Sequence, residues 1–221
     1  IFFTHRVHHE LGNASSSLHE VERNHLLLSS FIKGKACRPN LYPSEADRVR
    51  VAPLVSRSYL VIAPASVWFT KQYPPEKWAD FINALPSSLQ VYLVGGAGDH
   101  ALAEKILRQT RQGSVQNLSG QLTLLQTAAL QEKAIMNYVN DSAPLHIASA
   151  MNAPVTAVFC STVPAFGFGP LSDTRFIVET SQKLNCRPCG NHGRSSCPLQ
   201  HFHCAQTISV QQLLATLPGK G

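Results

Sequence analysis

Tyr59-Leu60-Val61-Ile62-Ala63, followed by residues 75–85 and then by Leu89-Gln90-Val91-Tyr92-Leu93-Val94-Gly95-Gly96, is the stretch that decides the fold. Five consecutive apolar residues are too few for a helix and read as a strand buried on both faces. Pro75 stands where the first turn of a helix tolerates proline, so residues 75–85 are read as a helix. Residues 89–94 form a second strand that ends in a glycine pair. Strand, helix, strand is a βαβ unit.

The alternation continues toward the C-terminus. Residues 101–109 are expected as a helix, 115–118 as a short strand, 123–132 as a helix, 134–139 as a strand, 144–151 as a helix and 155–159 as a strand. Five short apolar strands separated by helices imply the α/β class and a Rossmann-like parallel sheet covered on both faces. In such sheets ligands bind beyond the carboxyl ends of the strands. On the other side, Leu18, Val21, Leu26, Leu28 and Ile32 give residues 18–32 the pattern of an amphipathic helix. Residues 33–57, with Pro39, Pro43 and Pro53, read as a linker. A domain boundary near residue 57 therefore separates 1–57 from 58–221. Residues 181–206 are a Cys-, His- and Pro-rich excursion before a last helix over 210–217.

The chain has 221 residues, 44% of them hydrophobic, which is ample for a packed core. Charged residues are only 14%, and 19 basic against 13 acidic side chains leave a net charge of +6, too little to identify a polynucleotide partner. The excess is uneven: residues 180–221 contain no Asp or Glu but hold Lys183, Arg187, Arg194 and Lys220, and this segment is read as a basic surface suited to anionic ligands. No apolar run reaches the roughly 18 to 20 residues of a membrane helix, and no signal-like pattern opens the chain. Its first residues, Ile1-Phe2-Phe3, read as the middle of a longer sequence.

Polar residues gather where the strands are expected to end. After the first strand, Ser66, Thr70 and Lys71 precede a helix, an arrangement suited to clamping a diphosphate; an ordinary loop with a solvated lysine fits the same spacing. After the second, Gly95-Gly96-Ala97-Gly98-Asp99 admits close backbone approach and puts Asp99 where a ribose hydroxyl is met. After the fourth, Asn140-Asp141-Ser142-Ala143-Pro144-Leu145-His146 runs into a helix. Asp141 or Ser142 caps that helix, or Ser142 and the helix N–H groups face phosphate while Asp141 accepts from sugar hydroxyls. His146 lies four residues beyond Ser142, a spacing that puts both on one helix face, and reads equally as a ligand contact or as a buried structural histidine. The loop Phe166-Gly167-Phe168-Gly169-Pro170 suits neither helix nor strand, and its two rings either flank a base or sugar or pack the loop.

These motifs, together with Ala63-Pro64-Ala65-Ser66, Lys71-Gln72-Tyr73-Pro74, Asn117-Leu118-Ser119-Gly120 and the Cys-rich end, resemble the donor-binding half of the family nine glycosyltransferases, the lipopolysaccharide heptosyltransferases, and most of all their heptosyltransferase II branch. The resemblance covers residues 63–206. It implies a GT-B fold with the acceptor site in an N-terminal domain and ADP-heptose in the C-terminal one, and inverting transfer to a lipid-linked core oligosaccharide without a catalytic metal or required cofactor. It carries Ser66 and Lys71 to the donor diphosphate, Leu122 to the adenine and Asp141 to the heptose hydroxyls, with His146 following at the family's spacing and Asp99 a looser match for the ribose position. Ala143 stands where the family usually has glycine. The family's general base is an Asp early in the N-terminal domain, so no residue here is assigned that role. Two domains of typical size need roughly 300 residues, and the front domain is expected to be incomplete. The implied location is cytoplasmic, with peripheral contact at the inner membrane.

Cys186, Cys189, Cys197 and Cys204, with His192, His201 and His203 nearby, have the density of a structural zinc site, or they are reduced thiols packing an irregular loop. Two other functions stay open at this stage: a nucleotide-binding remnant without turnover, and a zinc-containing nucleic-acid module built on the basic tail. The βαβ turns, with their hydroxyls and acids, suit a nucleotide sugar better than nucleic acid.

Overall fold

The computed structural model describes residues 6–7 and 18–219. Strands β1 (Tyr59–Ala63), β2 (Gln90–Leu93), β3 (Val115–Asn117), β4 (Met136–Asn140), β5 (Val155–Phe159) and β6 (Arg175–Glu179) form one sheet in the order β3-β2-β1-β4-β5-β6. Every neighbouring pair is parallel. This is the doubly wound order in which the chain reverses direction between β1 and β4, leaving a crevice at their carboxyl ends.

The alternation inside β1 shows why both faces are covered. Leu60 and Ile62 join Trp78, Phe81, Ile106 and Tyr138 on one face, under α3 (Pro75–Asn83), α4 (His100–Gln109) and α8 (Val210–Leu214). Tyr59, Val61 and Ala63 join Leu130, Leu145 and Phe159 on the other, under α5 (Leu124–Glu132) and α6 (Ala143–Ala150). Phe81 and Tyr138 pack with ring centroids 4.5 Å apart, and Tyr73 meets Trp78 edge-on at 5.1 Å. Such aromatic pairs add about 0.5–1.5 kcal/mol beyond the area they bury.

Three features depart from the sequence reading. β6 is a sixth strand: Arg175, Phe176 and Ile177 are exposed, as an outer strand permits, so the segment lacks the continuous apolar run that marked the other five. Within the supposed linker lies α2 (Glu45–Val51), started by a reciprocal cap between Ser44 and Asp47 and held to α5 by an Arg48–Glu132 ion pair and buried Val51. The helix expected over 18–32 is only α1 (Glu20–Leu26), and Leu27, Phe31 and Ile32 beyond it are exposed. Its buried residue is Arg23, so a polar clamp rather than an apolar stripe seats it. A last short helix, α7 (His203–Gln206), closes the Cys-rich excursion.

Candidate functional site

The crevice between β1 and β4 is stitched by one side chain. Asn140, fully buried at the end of β4, donates from Nδ2 to the Pro64 carbonyl at 2.7 Å and accepts at Oδ1 from the Tyr73 N–H at 3.0 Å. It thereby fixes the turn after β1 relative to the turn after β4. A buried amide here costs free energy unless both ends are paired, and both are. The sequence reading quoted Asn140 but gave it no role; the clue was a polar residue closing a strand buried along its whole length.

Two clefts open from this crevice. The first, of about 380 Å³, is mostly apolar and is bordered by Ala63, Ser66, Asp99, Leu122, Leu124 and Ser142. The second, of about 310 Å³, is bordered by Lys71, Asp141, Ser142, His146, Phe166 and Phe168, and also by Asn191 and His192. Ser142 and Ala143 at the start of α6 belong to both. All seven residues singled out from the sequence thus line one of two adjoining spaces, each within the size range of small-molecule sites.

Their engagement differs from the expectation in three places. Lys71 Nζ lies 2.7 Å from Asp141 Oδ2, which also accepts from Thr162 Oγ1 at 2.7 Å, so these two charged groups are paired with each other. Asp141 is 5% exposed, and a carboxylate that deep needs such partners. Ser142 occupies the N-cap position of α6 but makes no capping bond; its hydroxyl donates to the Asn140 carbonyl at 3.4 Å. The positive end of the α6 dipole is therefore left without a side-chain acceptor, and neither Asp141 nor Ser142 acts as the cap. Asp99 lines the first cleft with one oxygen accepting the Gly96 N–H at 2.8 Å.

His146 stands at the rim of the second cleft, edge-on to Phe168 with centroids 6.4 Å apart. Partial desolvation holds its imidazole below the ordinary value of 6.5; Asp141 pulls the other way, and His19 and Lys71 add to the lowering. Phe166 and Phe168 belong to this second cleft and not to the first. Their loop is gripped from α1. Arg23 donates to the Leu18 carbonyl at 2.8 Å and the Phe166 carbonyl at 2.7 Å, forms a two-pronged pair with Glu20, and sits 5.8 Å from the Phe168 ring centre. His19 Nε2 meets the Gly169 carbonyl at 3.0 Å. Gly167 has φ +90°, and a Cβ there would lie 2.6 Å from the Leu18 carbonyl oxygen and 2.7 Å from the Arg23 guanidinium. The position requires glycine on both counts.

The Cys-rich excursion folds back onto the same site. Arg187 reaches the Cys160, Phe159 and Thr162 carbonyls and pairs with Glu179 at 2.5 Å. It is therefore consumed inside the fold, which corrects its place on a free basic surface; Lys183 and Arg194 remain exposed, and Lys220 lies outside the described residues. Cys186, Cys189, Cys197 and Cys204 line one small apolar cavity of about 70 Å³, and all six cysteines are free thiols. Among the described residues no three His, Cys, Asp or Glu side chains are placed to hold a metal ion. Burial pushes Cys204 up to about 11, with the neighbouring thiols adding to the shift.

Residues 3–200 match Glycosyltransferase family 9 (heptosyltransferase). Lipopolysaccharide heptosyltransferase 3 of Escherichia coli K12 is 32% identical over 115 residues, which are 51% of this chain and 33% of that protein. The structure of E. coli ADP-heptose lipopolysaccharide heptosyltransferase II is similar at a TM-score of 0.68 and 25% identity, over 84% of this chain and 54% of that one. E. coli heptosyltransferase WaaC with ADP shares the fold, with a TM-score of 0.64 and 18% identity over 94% of this chain and 57% of that one. The matched part thus spans about a third of the curated relative and a little over half of each solved chain.

Proposed function

The chain belongs to glycosyltransferase family 9, the heptosyltransferases, and from that membership we propose that residues 58–221 are the donor-binding unit of an enzyme that transfers a heptose from ADP-heptose to a lipopolysaccharide inner-core acceptor. The observation that carries the reading is the meeting of two clefts at Ser142 and Ala143, with the Lys71–Asp141 pair beside the junction. In this reading the adenine packs on Leu122 in the apolar cleft, with Asp99 at the ribose. The diphosphate crosses the start of α6, between Ser66, Ser142 and Lys71. The heptose enters the second cleft, where Asp141 accepts from its hydroxyls and His146 lies alongside. Ala143 puts a methyl group where the phosphate must pass, and narrows that approach.

The ion pair gives the site its chemistry. As the diphosphate arrives, the Lys71 ammonium turns from Asp141 to the phosphate oxygens and releases the carboxylate to the sugar. Lys71 and the α6 dipole then stabilise the charge that develops on departing ADP, a task that needs no metal at the reacting centre. Attack by an acceptor hydroxyl opposite the leaving ADP inverts the anomeric carbon. Once released by Lys71, Asp141 keeps its Thr162 hydrogen bond and is taken up by the donor sugar's hydroxyls, so we place the general base that takes the acceptor proton outside this cleft, on the acceptor side of the enzyme. A correctly placed base is worth about 10²- to 10⁴-fold in rate. Among the described residues no helix is long and apolar enough to cross a membrane. Lys183 and Arg194 are the exposed cations we assign to peripheral contact with an anionic membrane surface.

Thermal unfolding with ADP, GDP and UDP tests the reading. ADP at about 100 times its Kd adds about 2.7 kcal/mol of stability. The expected result is stabilisation by ADP above GDP and UDP, lost in Lys71→Ala. No stabilisation by any of the three overturns the donor assignment.

A further inference from the structure

We propose that His192, with Asn191 beside it, contacts the diphosphate or sugar of the donor, so that the Cys-rich excursion supplies one wall of the second cleft. The inference rests on the donor reading above and names a contact that the strand-end motifs do not contain.

Both side chains are exposed and border the same space as Lys71, Asp141 and His146. The segment that carries them is fixed at two points close in sequence. Before it, the Cys189 N–H donates to the Ser161 carbonyl at 2.8 Å. After it, Arg194 N–H donates to Thr70 Oγ1 at 2.8 Å while the Thr70 N–H donates to the Arg194 carbonyl at 3.1 Å. Ser161 Oγ donates to the same Thr70 hydroxyl at 3.0 Å, so both anchors meet at one buried threonine adjoining Lys71. Gly193 has φ +82°, and a Cβ there would lie 2.9 Å from Lys71 Cγ, so the segment presses directly against the lysine stem. The four thiols close around an apolar cavity that Thr70 and Ser161 also line.

Charge supplies the reason for a further donor in this place. Lys71 and Asp141 cancel each other, whereas a nucleoside diphosphate sugar brings a negatively charged diphosphate into the cleft. An imidazole N–H and an amide N–H2 bordering the same cleft as the lysine give the outer phosphate and the sugar hydroxyls partners that the apolar first cleft lacks. The first cleft would then hold the nucleoside, and His192 would distinguish the full donor from a nucleoside monophosphate.

Calorimetric titration of the chain, His192→Ala and His192→Gln with AMP, ADP and ADP-heptose tests this. His192→Ala is expected to weaken ADP-heptose about tenfold, the loss of one hydrogen bond to a charged or polar ligand group, while AMP changes by less than about twofold. His192→Gln, which keeps an N–H donor, recovers part of that loss. Unchanged binding of all three ligands by His192→Ala overturns the contact, and so does equal weakening of all three. If the unaltered chain binds none of them, the donor reading itself falls, an outcome distinct from a failure of His192 alone.

Discussion

The two clefts are built in opposite ways. The first is formed by turns that immediately follow β1 and β2, by Leu122 just before α5, and by the start of α6, and regular secondary structure places nearly every residue in it. The second takes Lys71, Asp141 and His146 from that same framework, but its remaining walls come from two remote pieces. These are the Phe166–Phe168 loop, held from behind by α1, and the Cys-rich excursion. On the proposed reading, nucleoside binding is a property of the sheet, while recognition of the distal half of the donor depends on polar clamps spanning up to 150 residues of sequence. Damage to a clamp should separate the two functions.

The sharpest separation is expected from Arg23→Ala. Its side chain is 3% exposed, and its loss strips donors from the Leu18 and Phe166 carbonyls and breaks the Glu20 pair. Equilibrium denaturation should show a loss of about 2–4 kcal/mol, and titration should show ADP-heptose weakened with AMP unchanged. Equal weakening of both ligands would erase the distinction between the clefts. Gly167→Ala acts on the same clamp from the other side: positive φ and contact with Arg23 make it cost about 1–3 kcal/mol, again with the loss confined to the second cleft.

The smallest effect is a pH dependence. Burial lowers both His19 and His146 below 6.5, with the Gly169 hydrogen bond opposing it at His19 and Asp141 opposing it at His146. The unfolded chain therefore takes up protons at a higher pH than the folded chain, and stability declines as pH falls below about 6.5. Solvent screening of these partly open side chains limits the effect to about a few tenths of a kcal/mol each. Denaturation midpoints at about pH 7.5 and pH 5.5 should differ less in a His19→Gln, His146→Gln double variant; an unaltered difference would place the dependence elsewhere.

Legibility in the sequence followed the same division. β1 and β5 fall on the expected residues, and most helix and strand ends between them shift by a residue or two, because five-residue apolar runs and glycine or proline punctuation act locally; α1 and α8 stop well short of the expected 32 and 217. Ser66 and Asp99 were legible for the same reason, each lying in a turn that follows a strand, whereas Leu122 was named only through the family resemblance. Thr162, Arg23, Asn191 and His192 could not, since an ordinary loop residue acquires its role only when a distant segment closes on it. The Lys71–Asp141 pair is a case between the two. Both residues were legible as site residues, but their mutual contact required the adjacency of β1 and β4. β6 escaped because an outer strand needs little apolar surface, and α2 because the flanking Pro43 and Pro53 mask a capping pair at Ser44 and Asp47 that was present in the sequence.

A crystal structure of the chain with ADP tests the central claim most directly, since it locates both halves of the ligand at once. The account predicts adenine against Leu122 in the first cleft and the outer phosphate within about 3 Å of Lys71 Nζ, with that nitrogen drawn away from its 2.7 Å contact with Asp141. ADP bound elsewhere, or a diphosphate remote from Lys71 while the ion pair stays closed, would contradict it.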